Sequence, residues 1–86
     1  MMTAFQLSID ASVRRRFRRI HPKHAAQILR RLRMLKTEPR PHNSIKLKGT
    51  KSAYRLTAGE YRILYEIDYD ACVVTVFRIM HRGEGY

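Results

Sequence analysis

The apolar residues of this 86-residue chain change their spacing once, and that change constrains the fold more than any other feature. Between Val13 and Leu35 they recur every third or fourth position; from Ala53 onward they recur every second. The first spacing belongs to helices with one apolar stripe, the second to strands with one covered face, so the chain reads as α+β. Val13, Phe17 and Ile20 predict a first helix over residues 11–20, with Asp10 as its N-cap. His21-Pro22 breaks that helix, and proline suits the first position of a second one over Pro22–Leu35, with Ala25, Ile28, Leu29, Leu32 and Leu35 as its stripe. Together they form an αα-hairpin. Ahead of them, Phe5, Leu7 and Ile9 alternate with Gln6 and Ser8 in a short strand over residues 3–9. Pro39, Pro41 and Asn43 mark residues 37–44 as a loop.

Three further strands are predicted over Ala53–Ala58, Tyr61–Asp68 and residues 71–79, with turns at Gly59-Glu60 and Tyr69-Asp70. A two-residue turn at Gly59-Glu60 sets Ala58 opposite Tyr61 and Thr57 opposite Arg62. One face then carries Tyr54, Leu56, Ala58, Tyr61, Ile63 and Tyr65, and the helices cover it. The other carries Arg55, Thr57, Arg62 and Leu64 and is expected to be basic and open. Arg55 and Arg62 become diagonal neighbours there, which costs energy unless an anion lies between them. The expected architecture is one domain over residues 1–86. An N-terminal strand and a three-stranded antiparallel meander make a four-stranded sheet, with the helix pair on one face.

Eighteen Lys and Arg against seven Asp and Glu leave a formal net charge of +11, a balance that implies a polyanion, an acidic protein partner, or both. Ten of the eighteen cations fall between Arg14 and Lys36, where only Asp10 precedes Glu38, so i, i+4 ion pairs do not account for them. A hydrophobic share of 44% excludes a disordered chain. The single cysteine, Cys72, has no internal disulfide partner and sits in an apolar run, which predicts a buried thiol and a reducing compartment. No stretch approaches the ~20 apolar residues of a membrane span. The N-terminus lacks the layout of a signal peptide, and the expected location is cytoplasmic.

The second half strings cations and aromatics together: Lys46-Leu47-Lys48-Gly49, Tyr54-Arg55-Leu56, Tyr61-Arg62-Ile63-Leu64-Tyr65-Glu66, and finally His81-Arg82-Gly83-Glu84-Gly85-Tyr86. RNA carries its own nucleophile, the 2′-OH. Its cleavage needs a base, positive charge on the transition state, and an acid for the 5′ oxygen. Metal-dependent nucleases cluster acidic ligands, whereas Asp10, Glu38, Glu60, Glu66, Asp68, Asp70 and Glu84 are scattered, so no metal or other cofactor is expected. Arginine, with a pKa above about 12, does not serve as a base but grips phosphate oxygens through its planar fork, which makes Arg62 and Arg82 the clamps. Histidine titrates nearest neutrality, so His81 is the default proton carrier. Tyr86 can orient the 2′-OH or stack on a base. The same residues also fit binding of nucleic acid without cleavage.

In this order and length the motifs resemble the RelE-like toxins of bacterial and archaeal toxin–antitoxin systems. The resemblance runs over essentially the whole chain and is densest from Lys46 to Tyr86. It implies a microbial-ribonuclease-like fold and a ribosome-dependent endonuclease that cuts mRNA in the A site without metal, leaving a 2′,3′-cyclic phosphate. It also implies an acidic antitoxin that covers the basic surface. By position, Arg62 matches the family's central-strand arginine on the scissile phosphate, Arg82 the post-strand arginine, and Tyr86 the C-terminal tyrosine. Lys46 and Lys48 match cations that bind RNA backbone. Arg55 stands where a better-known member has a catalytic lysine. Thr57 departs from a second such lysine, leaving His81 or Lys51 as substitutes. The ParE-like branch of the same superfamily, which poisons DNA gyrase, is the alternative, as is a degenerate homologue that only binds antitoxin.

Overall fold

The computed structural model describes residues 4–84. Its elements run β1 (Gln6–Ile9), α1 (Ala11–Phe17), α2 (Pro22–Leu35), β2 (Ile45–Lys46), β3 (Ala53–Ala58), β4 (Tyr61–Asp68) and β5 (Val73–His81). The strands form one sheet in the order β1-β5-β4-β3-β2. β1 lies parallel to β5 and the other pairings are antiparallel. The sheet therefore has five strands rather than the expected four. The added strand is the two-residue β2, too short to show alternation, and it pairs Ile45 with Arg55 and Lys46 with Tyr54 at the edge.

The αα-hairpin covers one face of the sheet, α1 against β5 and α2 against β3 and β4. Ile28 and Leu35 of α2 meet Leu56, Ile63, Tyr65, Val74, Val76 and Ile79 in a core whose members are all but inaccessible to water. Tyr65, the largest of them, donates its hydroxyl hydrogen to the Pro39 carbonyl at 2.8 Å and so ties β4 to the loop after α2. Burial is the main reason its phenol is pushed up to about 12, against a weaker opposite pull from a hydrogen bond with Ser44.

Several local expectations change. α1 ends at Phe17, because Arg19 and Ile20 bond three residues back, to Arg16 and Phe17, and tighten the chain before Pro22. Asp10 precedes α1 without a side-chain cap, and its backbone carbonyl accepts from Val13 and Arg14 instead. The second helix is capped by His21, whose Nδ1 accepts from the Lys23 N–H at 3.1 Å. Leu29 of the α2 stripe is exposed. Cys72 is not buried: it is half-exposed in the β4–β5 turn at φ +56°, its thiol 3.6 Å from the Tyr69 carbonyl. Among the described residues no helix is long and apolar enough to cross a membrane.

Candidate functional site

The β3–β4 hairpin has the register that the Gly59-Glu60 turn requires, with Thr57 opposite Arg62 and Arg55 opposite Leu64. Gly59 makes that turn possible at φ +62°, in the left-handed region, with the Gln27 side chain of α2 against its open side. Arg55, Thr57 and Arg62 therefore share the sheet face away from the helices. Both arginines are half-buried. Leu64, opposite Arg55, and Met80, opposite Arg62, share this face and are buried outside the main core cluster, so it is roofed in part by guanidinium stems. It is basic, as expected, but less open.

A bulge in β5 decides which residues join this face. Leu64 pairs with Arg78 and Tyr65 with Val76, leaving Phe77 as the extra residue. Without the bulge, strict alternation from Val74 and Val76 would turn Arg78, Met80 and Arg82 into the helix-covered core. The bulge reverses the parity: Ile79 enters the core, while Arg78 and Met80 turn to the side of Arg62. Beyond the strand, the Arg82 N–H donates to the Glu60 carbonyl at 2.8 Å and continues the ladder by one rung. Arg62 Nη1 then donates to the Arg82 carbonyl at 3.3 Å. Arg62 Nε is buried and has no hydrogen-bond partner among the described residues. An arginine held by one terminal nitrogen, with its inner N–H desolvated, is preorganised for an anion.

The same parity carries His81 to the other face. There its ring meets Tyr61 edge-on at 5.3 Å between centroids, and its Nε2 lies 3.6 Å from Glu60 Oε2. His24 of α2 approaches the same carboxylate at 4.0 Å and the Tyr61 ring at 5.6 Å. His81 Nδ1 accepts from the Gly83 N–H at 3.2 Å, which leaves Nε2 as the protonated nitrogen of the neutral ring. The structure thus brings Arg55, Arg62 and Arg82 together and separates His81 from them. Lys46, in edge strand β2, stands level with Tyr54, on the face opposite Arg55. Lys48 and Lys51 are exposed in the loop between β2 and β3. Tyr86 lies outside the described residues.

One feature escaped sequence reasoning. Arg16 of α1 forms a two-pronged ion pair with Glu84, from Nη1 to Oε2 at 3.0 Å and from Nη2 to Oε1. Hydrogen bonding from Arg16 is the main reason the Glu84 carboxyl falls to about 2, with the His81 N–H adding to it. The same pair raises the Arg16 pKa. The two residues are 68 positions apart, and nothing in the local pattern joins them. Among the described residues no cluster of three or more His, Cys, Asp or Glu is placed to hold a metal ion.

Residues 7–86 match the family described as "ParE toxin of type II toxin-antitoxin system, parDE". Among solved structures, a chain of the archaeal RelE–RelB complex from Pyrococcus horikoshii OT3 superposes with a TM-score of 0.85 at 25% identity, over 95% of this chain and 99% of that one. A chain of the intact E. coli RelBE toxin–antitoxin complex gives 0.78 at 25% identity, over 91% and 96%. The isolated E. coli RelE toxin gives 0.82 at 21% identity, over 95% and 88%, a likeness of fold. No curated protein matches.

Proposed function

Because the chain belongs to the ParE toxin family of type II toxin–antitoxin systems, within the RelE/ParE superfamily, it is a toxin, and we propose that it acts as a ribosome-dependent mRNA endoribonuclease. The observation that carries this reading is the coupled pair on the open face, Arg62 donating to the Arg82 carbonyl with its own Nε desolvated and unpartnered among the described residues. In this reading the 2′-OH attacks the adjacent phosphorus in line, giving up its proton to solvent water, and the 5′ oxygen leaves as a hydroxyl by taking a proton from water, giving a 2′,3′-cyclic phosphate. Charge builds on the non-bridging oxygens. Arg62 and Arg82 clamp those oxygens, and Arg55 adds charge one rung away. Tyr86 is assigned to the substrate base or 2′-OH by resemblance. Lys48 and Lys51, exposed in the loop before β3, suit the RNA backbone. The reaction needs no metal.

The proposed setting is the cytoplasm, with mRNA and rRNA at the ribosomal A site as substrate and platform. An acidic antitoxin is the proposed silencing partner, since ten of eighteen cations lie between Arg14 and Lys36, and two of them, Arg14 and Arg18, border an apolar cleft where Leu29 is exposed. A second reading, a ParE-like gyrase poison, is favoured by the description of the matching family. Translating ribosomes incubated with the purified chain separate the two. Codon-positioned cuts in the message support the nuclease. Intact message together with blocked DNA supercoiling supports the gyrase poison.

A further inference from the structure

Residues 81–84 are fastened at every backbone N–H. The His81 N–H donates to Glu84 Oε1 at 2.9 Å, the Arg82 N–H to the Glu60 carbonyl at 2.8 Å, the Gly83 N–H to His81 Nδ1 at 3.2 Å, and the Glu84 N–H to the His81 carbonyl at 2.9 Å. Glu84 takes part in two of these four bonds and also carries the ion pair to Arg16. Among the described residues, Arg16 is the one Arg or Lys of α1 and α2 within salt-bridge distance of a carboxylate. The pair therefore links α1 to the turn that presents Arg82.

We propose that Arg16 and Glu84 are positioning residues for the cleavage reaction. Their ion pair fixes the course of the chain after β5, and with it the place of Arg82 beside Arg62. This inference rests on the nuclease reading above. As a stabiliser such a pair contributes little, because its side chains remain 39% and 35% exposed. As an alignment device it is well suited, since a guanidinium fork on a carboxylate fixes angle as well as distance. A carboxylate in this region also opposes simple electrostatics, because it places negative charge next to residues that must meet a polyanion. Its presence there is explained by orientation. With its pKa near 2, Glu84 stays ionised, and so keeps the charge that Arg16 needs, at every physiological pH.

The test is Glu84→Gln beside the exchanged pair, Arg16→Glu with Glu84→Arg, in a ribosome cleavage assay. Glu84→Gln makes the protein more cationic, so plain attraction predicts tighter ribosome binding and equal or better cutting. Misalignment predicts the reverse in turnover: kcat lower by ~10- to 100-fold, since displacement of order 1 Å costs about that much, with KM unchanged or lower. The exchanged pair should recover at least ~10-fold over either single charge reversal. Amide exchange should quicken at Arg82 and Glu84 while Ile63 and Val74 keep their protection. Wild-type turnover in Glu84→Gln, no rescue by the exchanged pair, or loosening of the whole sheet would each overturn the inference. If the wild-type chain leaves the message intact, the nuclease reading itself fails. The inference then falls with it, whereas failure of the inference alone shows as wild-type turnover in Glu84→Gln.

Discussion

Arg62→Met is expected to make the protein more stable and nearly inactive, and both effects follow from one side chain. Arg62 is half-buried in β4 between Thr57 and Met80, with Nε unpartnered among the described residues and a single 3.3 Å bond from Nη1 to the Arg82 carbonyl. Leaving such a donor desolvated costs about 1–3 kcal/mol, and the exposed Nη1 bond returns about 1 kcal/mol. The diagonal Arg55 adds like-charge repulsion of about 2 kcal/mol at ~7 Å for an effective dielectric near 20, and less where solvent reaches the tips. Methionine conserves length, carries no charge, and packs readily beside Met80. With that repulsion largely screened at the tips, desolvation of about 2 kcal/mol against a bond of about 1 leaves a net gain of about 1 kcal/mol, which raises the midpoint of thermal unfolding by roughly 4–8 °C in a domain of this size. On ribosomes the same variant should lose ~10²-fold or more in cleavage, since one preorganised contact to a transition-state oxyanion contributes about 3 kcal/mol. Calorimetry and mRNA end-mapping on one preparation check both. A midpoint lowered by several degrees would make Arg62 a structural residue, and cleavage within a few-fold of wild type would place the clamp elsewhere.

Three further outcomes follow from the geometry. Arg82→Ala should also lower cleavage by ~10²-fold while leaving the unfolding midpoint nearly unchanged, because its side chain is exposed and its ladder bonds are made by the backbone. His81→Asn should keep cleavage within a few-fold of wild type and leave the shape of the pH–rate profile intact, because the imidazole faces Tyr61 and Glu60 on the helix side; a ~10²-fold loss with a changed profile would restore His81 as the proton carrier. Tyr65→Phe should destabilise the fold by about 1–2 kcal/mol through the orphaned Pro39 carbonyl, read in urea unfolding. The Tyr65 phenol titrates near 12 when folded and near 10 when unfolded, so its contribution is complete below about pH 10 and is lost as pH rises towards 12. Wild type should therefore lose its advantage over Tyr65→Phe across that interval.

The hairpin that carries Arg55 and Arg62 was legible in the sequence because two signals agree there. Alternation over residues 54–58 and Tyr61–Asp68, interrupted at Leu64, and one turn at Gly59-Glu60 give the same register, and the observed bounds of β3 and β4 coincide with the expected ones. The same holds for α2, where Pro22 and the apolar stripe give the observed bounds, and it fails elsewhere. β2 is too short for periodicity, and it exists because the β3 edge supplies a partner for Ile45 and Lys46. The first helix stops at Phe17 although its apolar spacing runs to Ile20, since i, i+3 bonds serve the last residues and still bury Ile20. The bulge at Phe77 has no Gly or Pro to announce it. It appears where Arg78 would otherwise enter the core, and burying an unpaired guanidinium costs more than one kink in a strand. The position of His81 was illegible for the same reason. A shift of one residue, set by a long-range packing conflict, moves it from one face to the other.

That shift also bears on why the proposed activity should depend on the ribosome. The face that gathers Arg55, Arg62 and Arg82 is rich in fixed positive charge, and His81 and His24 both lie on the other side of the sheet, around Glu60. Thr57, opposite Arg62, offers a hydroxyl where a lysine would offer a titratable amine. A positioned acid or base contributes ~10²–10⁴-fold to a reaction, and charge stabilisation alone does not replace it. Holding the 2′-OH in line with the 5′ oxygen offsets part of that loss, because a near-attack alignment lowers the barrier while solvent water carries the protons. Free RNA spends little time in that geometry. A message gripped within the ribosome can be held in it, so that clamping the developing oxyanion is what remains for the protein to do. A toxin built in this way is safe among free transcripts and dangerous where a template is already under restraint.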